Sequence, residues 1–526
     1  MTAPHGSTQD ISLRADVLVL GGGPAATWAA LSAARAGAAV VLADKGYCGT
    51  SGAAAASNNN VWYVKDPAEY ERHFTERFRS GGGLSERGWT EAVLERAVRQ
   101  LHLLGELGYP FPRKEDGTLN HATLRGPDYM RFMRQQIRRA GVAILDHSPM
   151  LGLILDDVEG RVTGAHGVTR DGARWRVAAG ATVVATGGCA FLGGALGTNV
   201  CTGDGHLAAG EVGASFSGME FSNQYGLGAA FSSVTKGLPF IWASYSRQDG
   251  SEIAVEDDDA FVSVARVLVD EPVFAVFDRA SGDVERWLRS GQSNAFLPYD
   301  RMGIDPFRER FPVGLRLEGT VRGTGGIHLT GQDCATGVPG LYAAGDAASR
   351  EPIVGGRTGG GSPNAAWAIV TGAWAGEAAG RFATSLNGAP PLSVPPPGTL
   401  RIADPVVARD VLVREVWSLR TNLFRSEAGL LSAQQALDAA SRAPVAEGPT
   451  TLLQARSAHA MLYVARLAYT GALRRRESRA LHQRTDYPQS KGRHAYRQVI
   501  AGTDTLTVTT GPVATQAAYS QEGMLP

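Results

Sequence analysis

Three glycine-rich segments, spread across most of the chain, constrain its fold more than any other feature. They are residues 17–26 (VLVLGGGPAA), residues 183–188 (VVATGG) with 202–205 (TGDG), and residues 340–347 (GLYAAGDA). An apolar run that ends at glycine reads as a buried strand stopping at a tight turn. One such segment is weak evidence. Three in this order describe a single dinucleotide-type fold whose strands are separated in sequence by insertions.

The local pattern agrees. Residues 16–20 read as a strand, 27–36 place Ala, Leu and Trp at helical spacing, and 38–42 read as a second buried strand. A βαβ unit of about 30 residues is the context that a dinucleotide fingerprint requires. Residues 67–107 and 128–139 read as amphipathic helices. Residues 143–146, 151–157, 162–169 and 173–177 read as a small β-meander, with Asp171 and Gly172 turning between its last two strands.

From 226 to 322 the chain carries Tyr, Phe and Arg without a dinucleotide signal, as expected of an inserted domain. Glycine-rich sequence returns at 323–381. A proline-rich linker follows at 388–399 (GAPPLSVPPPGT), then helical periodicity over 405–483 and a strand-like tail after Tyr487. The expected architecture is α/β: a Rossmann-like domain in two parts (1–225 and 323–387), an inserted α+β domain (226–322) and a mainly helical C-terminal domain (400–526).

Composition narrows the function classes. The chain has 526 residues, 44% apolar and 19% charged, and its 51 Lys and Arg balance 51 Asp and Glu. That length supports two or three domains, and the charge balance gives no footprint for nucleic acid or an anionic membrane. Cys48, Cys189, Cys201 and Cys334 show no CxxC spacing. No metal site, cysteine-ligated cluster or disulfide framework is expected, and reduced thiols in the cytoplasm are the default. Residues 1–14 lack the apolar core of a signal peptide, and 15–42 is broken by glycines and Pro24, so no membrane span is expected.

Residues 21–26 (GGGPAA) fit GxGxxA. Gly21 permits the tight turn, Gly23 lets the backbone approach a pyrophosphate, and Ala26 keeps the helix close to the strand. Asp44, at the end of the second strand, is placed to accept hydrogen bonds from an adenosine ribose. Taken alone, the same residues describe a tight strand–helix turn with a surface acid. The later segments favour a tightly held flavin, FAD, over an exchangeable nicotinamide: Gly345 with Asp346, and Asp204, bring carboxylates and backbone amides to strand ends, as a ribityl chain requires. Candidate cofactor-binding residues are Gly21, Gly23, Pro24, Ala25, Ala26, Asp44, Lys45, Thr50, Ser51, Thr186, Gly187, Asp204, Gly345, Asp346 and Ser362.

At these residues the chain resembles the flavoprotein superfamily of fumarate reductase, succinate dehydrogenase and L-aspartate oxidase. The matching stretches are VLVLGGGPAATWAAL, VVATGG, TGDGHLAAGEVGASFSGMEF, GTGGIHL, GVPGLYAAGDAAS and SRALHQRTDYP, which sample residues 17–488. The resemblance implies a capping domain over the flavin, a C-terminal helical domain, and hydride transfer between flavin N5 and a substrate carbon. Where covalent members carry a flavin-linking histidine, residues 49–57 (GTSGAAAAS) have none, so non-covalent FAD is implied. Cys48 has the chemistry for a thioether but reads better as a small buried residue.

The substrate residues depart from the family pattern. Its Gln-x-His-Pro becomes residues 222–226 (SNQYG), and its second substrate histidine aligns with Val321. Its proton-shuttling arginine aligns with Asp259. The clamping arginine persists as Arg357, where a guanidinium can hold a carboxylate through two parallel hydrogen bonds. Tyr225 faces the implied substrate as an orienting or relaying group, or as an ordinary lining aromatic, and Arg322 sits at the hinge of the cap.

The candidate catalytic set is therefore Arg357, Tyr225, Arg322 and Asp259. The loss of both histidines disfavours a C4-dicarboxylate and leaves one acidic group to be held by Arg357. The expectation is an FAD-dependent dehydrogenase or oxidase of a small organic or amino acid, passing electrons to oxygen, a quinone or an iron–sulfur protein. The alternatives are an electron-transfer subunit paired with an iron–sulfur partner, a reductase of an unsaturated acid, and a flavin-binding protein that has lost catalysis.

Overall fold

The apolar run Ile11–Leu20 forms the spine of a seven-stranded sheet in the computed structural model. The structure describes residues 9–513 apart from 115, 236, 256–259, 292, 358–360, 387, 389, 391–399, 447–449 and 491–494. Most of the linker at 388–399 therefore lies outside the described residues. The sheet order is Ala143–Leu145, Val40–Ala43, Ile11–Leu20, Arg174–Val184, Arg161–Val168 and Met150–Asp156. Strands are parallel from Ala143–Leu145 through Arg174–Val184, and Val17 through Leu20 are fully buried. Burial on both faces is what a continuous apolar run, as opposed to an alternating one, prepares a strand for.

Two details correct the sequence reading. Residues 173–177 and the strand entering the second glycine segment are one strand, Arg174–Val184. A Cβ on Gly180, in its middle, would lie 3.0 Å from the Ala383 Cβ, so this glycine marks close packing. The strand takes Arg161–Val168 along its first half and Leu341–Ala343, parallel, along Thr182–Val184. Ala143–Leu145 is also no part of a meander, because it pairs parallel with Val40–Ala43 at the far edge. All three glycine segments thus leave neighbouring strands at the same end of the sheet, where α/β folds hold ligands.

Helix Pro24–Arg35 crosses helix Gly361–Ser385 at backbone distance. Side chains at Gly372 and Gly376 would come within 2.4 Å of the Ala25 carbonyl and 2.2 Å of the Ala29 carbonyl, so glycine sets this crossing.

A second sheet is antiparallel: Gln224–Ala229, Phe311–Glu318, Val273–Val276 and Ser244–Ser246. It has its own aromatic core around Phe240, Phe277, Tyr299 and Phe311. The chain enters and leaves it through adjacent strands, with Tyr225 opposite Leu317, so both crossings lie side by side. Further on come helices Glu427–Arg442 and Leu452–Arg474, preceded by two single-turn π-helices at Leu412–Val416 and Leu419–Leu423.

Of the last strands, Tyr496–Ala501 returns to pair with Phe216–Ser217, which also pairs with Gly326–Ile327, and Thr507–Pro512 pairs with Tyr496–Ala501 at the edge. Buried ion pairs stitch this return. Arg475 donates to Glu220 Oε1 at 2.9 and 2.8 Å, Gln498 donates to the same oxygen at 2.8 Å, and Arg497 bridges Glu351 (2.9 Å) and Glu86. No helix among the described residues is long and apolar enough to cross a membrane.

Candidate functional site

One long cleft runs from the turn after Ile11–Leu20 to the junction with the antiparallel sheet. At its first end the geometry is set by backbone. Gly21 has φ +116°, and a Cβ there would sit 2.2 Å from the Ala185 carbonyl oxygen, so only glycine closes the turn. Gly23 caps helix Pro24–Arg35, and its Cβ position meets no protein atom within 4 Å. The turn therefore leaves a space at the positive end of a helix dipole, where a phosphate fits.

The carboxylates have different surroundings. Asp44 is buried and accepts a 2.6 Å hydrogen bond from Ser51 Oγ; burial outweighs that bond and raises its pKa above the ordinary range. Burial also pushes Asp204 up, but Lys45, Thr202 and Ser457 more than offset it and hold the carboxyl low. Lys45 Nζ donates to Asp204 (2.8 Å), Thr202 (2.7 Å) and Ser457 (3.1 Å), tying the cleft wall to helix Leu452–Arg474. Two buried polar atoms on lining residues, Thr186 Oγ1 and Asn364 Oδ1, have no hydrogen-bond partner in the protein. Open space at Gly23, the carboxylates Asp44 and Asp204 and orphaned polar atoms along one cleft fit the chemistry of a flavin dinucleotide.

At the other end, Val234 and Thr235 of the inserted segment face Glu318, Val321 and Arg322 across the cleft. Glu318 is buried. Its Oε1 accepts a bond from the Thr235 hydroxyl, and its Oε2 lies 2.8 Å from Arg322 Nε. Arg322 Nη1 donates to the Thr235 carbonyl at 3.3 Å, yet the side chain stays 36% exposed. Behind it lies Arg350, which is 1% exposed. Its Nε donates to Gly323 O (2.8 Å), its Nη2 to Thr320 O (2.7 Å) and Val321 O (2.8 Å), and its Nη1 to Asp346. One guanidinium thus joins an acid that lines the cleft to the loop that carries Arg322.

The structure brings most of the sequence-predicted residues together. Gly21, Gly23, Pro24, Ala25, Asp44, Lys45, Ser51, Thr186, Gly187, Asp204, Gly345, Asp346 and Arg322 all line the cleft. Ala26 is buried in the first turn of helix Pro24–Arg35 and is not among the lining residues. The exposed Thr50 bonds back to the Tyr47 carbonyl (3.3 Å), and Ser362 accepts the Trp62 amide (3.1 Å); neither is among the lining residues.

Tyr225 faces away from the cleft. It is 2% exposed, its hydroxyl sits 3.1 and 3.2 Å from the Val416 and Trp417 carbonyls, and Asn422 donates to it at 3.2 Å. The expected orienting or relaying role had assumed that the strand presents this side chain to the substrate; the strand turns it toward the C-terminal segment. Arg357 is half-buried just past the turn at Gly355 and Gly356 and is not among the described lining residues. Asp259 lies outside the described residues.

Cys48 is buried with its thiol pushed up to about 12 by burial, then by Asp44, and it too is absent from the lining. Sequence reasoning missed Arg350, three residues past the glycine-rich segment 340–347, and Asn364, two residues past Ser362. It also missed Thr235, for which no motif signals.

A cleft of this chemistry at the carboxyl ends of a parallel sheet defines an FAD-binding flavoprotein. A family model described as FAD binding domain matches residues 16–224, and one described as Fumarate reductase flavoprotein C-term matches 418–522. L-aspartate oxidase of Caulobacter vibrioides is 27% identical, with 90% of this chain and 93% of that protein covered. The fumarate reductase flavoprotein of Mycobacterium tuberculosis is 24% identical, with 94% of each chain covered. Among solved structures, E. coli quinol fumarate reductase shares the fold at TM-score 0.77 and 20% identity over 96% of this chain and 99% of that one. The chain belongs to the superfamily of fumarate reductase, succinate dehydrogenase and L-aspartate oxidase flavoproteins, and is an FAD-dependent oxidoreductase.

Proposed function

We propose that the chain is a dehydrogenase or oxidase of a small organic or amino acid, held where the inserted antiparallel domain closes on the flavin segments. Bound FAD supplies the hydride acceptor, at N5. The substrate carbon gives up a hydride while its N–H or O–H gives a proton to a base, leaving an imine or a carbonyl. The electrons then pass to oxygen, a quinone or an iron–sulfur protein. FAD is read as non-covalent, since Cys48 is buried, protonated and off the lining.

The observation that carries this reading is the Arg322 guanidinium, which is exposed into the cleft at the junction and fixed from behind by Glu318 and Thr235. It replaces Arg357 as the carboxylate's anchor. A held guanidinium binds a carboxylate by charge-assisted bonds worth about 1.5–3 kcal/mol each.

The test is anaerobic mixing of the holoprotein with amino, hydroxy and saturated acids, following flavin bleaching in wild type, Arg322→Gln and Arg357→Gln. Bleaching by an acid that is slowed about 10- to 100-fold in Arg322→Gln alone supports the reading. An equal or larger loss in Arg357→Gln returns the anchor to Arg357. No bleaching by any acid, with rapid reduction by an artificial donor, favours an electron-transfer subunit served by an iron–sulfur partner.

A further inference from the structure

We propose that the substrate carries one anionic group and an apolar body, the anion on Arg322 and the body against Leu196, Val234 and Val321. The proposal rests on the preceding reading that an acid reacts in this cleft.

Charge comes first. Arg322 already holds Glu318 at 2.8 Å, and the Glu318 carboxylate is buried with its other oxygen on Thr235. The guanidinium keeps outward donors for one acceptor group, and among the described residues that line the cleft the other cation, Lys45, is held by Asp204. A second carboxylate would approach either the buried Glu318 or apolar side chains, and an unpaired charge in such a place is strongly disfavoured.

The walls point the same way. Ala190, Cys201 and Val321 form a small apolar cluster with Ala53 and Val200, separate from the main core, and all but Ala190 line the cleft. Leu196 is 42% exposed although it lines the cleft; its amide donates to the Ser233 carbonyl of the inserted segment at 2.9 Å, and Val234, the next residue of that segment, lines the same cleft. A large apolar side chain left open inside a cleft is surface that a ligand can cover. Val321 is the residue before Arg322, so the apolar wall and the anion anchor share one short helix, Gly319–Arg322.

The test is titration of the holoprotein with straight-chain monocarboxylates from propionate to hexanoate, and with succinate and fumarate, following the flavin difference spectrum. Each added methylene is expected to tighten binding about threefold to fourfold, and butyrate to bind more tightly than succinate. Val321→Thr, of nearly the same volume, should weaken hexanoate several-fold and leave propionate unchanged; Val234→Thr is the second variant should the first fail to fold.

Tighter binding of succinate or fumarate than of butyrate, or affinity independent of chain length, overturns the one-anion proposal while the acid site stands. No spectral change with any acid, mono- or dicarboxylic, overturns both.

Discussion

At the end of the cleft beside residues 21–25 the shape is made by backbone: a turn that only glycine can close, a helix that begins without a side chain at its cap, and a crossing set by Gly372 and Gly376. At the far end it is made by side chains, with Glu318, Thr235 and Arg322 braced against one another and Arg350 gathering three carbonyls from behind. The difference is in how many sequences can do each job. Backbone that must approach a ligand admits glycine and little else. A braced side-chain cluster can be built from many residue sets, which leaves room for the substrate to change while the cofactor stays.

The largest expected effect separates two glycines of the same turn. Gly21→Ala forces a Cβ into the Ala185 carbonyl at a positive φ, so it should cost about 3 kcal/mol of stability and yield colourless protein. Gly23→Ala meets only open space and should leave the denaturation midpoint within about 1 kcal/mol of wild type. It should still weaken FAD about tenfold or more, the equivalent of about 1.4 kcal/mol lost to a methyl in the cradle. Wild-type FAD affinity in Gly23→Ala would break the backbone account of that end.

This contrast also explains what could be read in advance. The turn at Gly21 and Gly23 and the acids Asp44, Asp204 and Asp346 were legible because each is local: an apolar strand ending at a glycine or directly at a carboxylate, or, at Asp204, a Gly-Asp pair that opens a helix. The cap end was not, because its parts meet only in three dimensions. Thr235 is 83 residues from the Glu318 it bonds, and Asn223, Asn422 and Tyr225 form one polar knot across a separation of 199 residues. Tyr225 was placed at the substrate by resemblance, and no one-dimensional pattern says which face of a two-sided buried strand a tyrosine occupies.

Arg350→Gln probes the bracing. It leaves Asp346 without its cation and two or three buried carbonyls without donors, so a loss of about 3 kcal/mol in stability is expected, with weaker FAD retention. If the variant keeps wild-type FAD affinity and stability, the two ends of the cleft are independent, and the bridge drawn between Asp346 and the Arg322 loop is wrong.

Glu351→Gln is a smaller perturbation beneath the same region. Burial raises the Glu351 carboxyl to about 7, with Arg497 opposing and Glu220 adding to the rise. A carboxyl raised in the folded state is stabilising while protonated. Its contribution is therefore full below the ordinary carboxylate range and is lost as pH rises toward 7. Wild type should lose stability over that window with a slope of up to about 1.4 kcal/mol per pH unit from this group, and Glu351→Gln should flatten it. Identical pH profiles for both proteins would show that the buried network stays ionised throughout.

Tyr225→Phe is expected to do least, and its smallness is informative. The hydroxyl sits among the Val416 and Trp417 carbonyls and the Asn422 amide, so its removal costs about 1 kcal/mol of stability. It touches no residue of the cleft's anchor, so the rate of flavin reduction by substrate should match wild type within about twofold, a barrier change below about 0.5 kcal/mol. A large fall in that rate with stability preserved would put a proton path through Tyr225, and the far end of the cleft would then extend into the C-terminal segment. Loss of stability alone keeps Tyr225 as the fastening between the inserted sheet and the π-helical turns, and leaves Arg322, Glu318 and Thr235 to define the substrate's end.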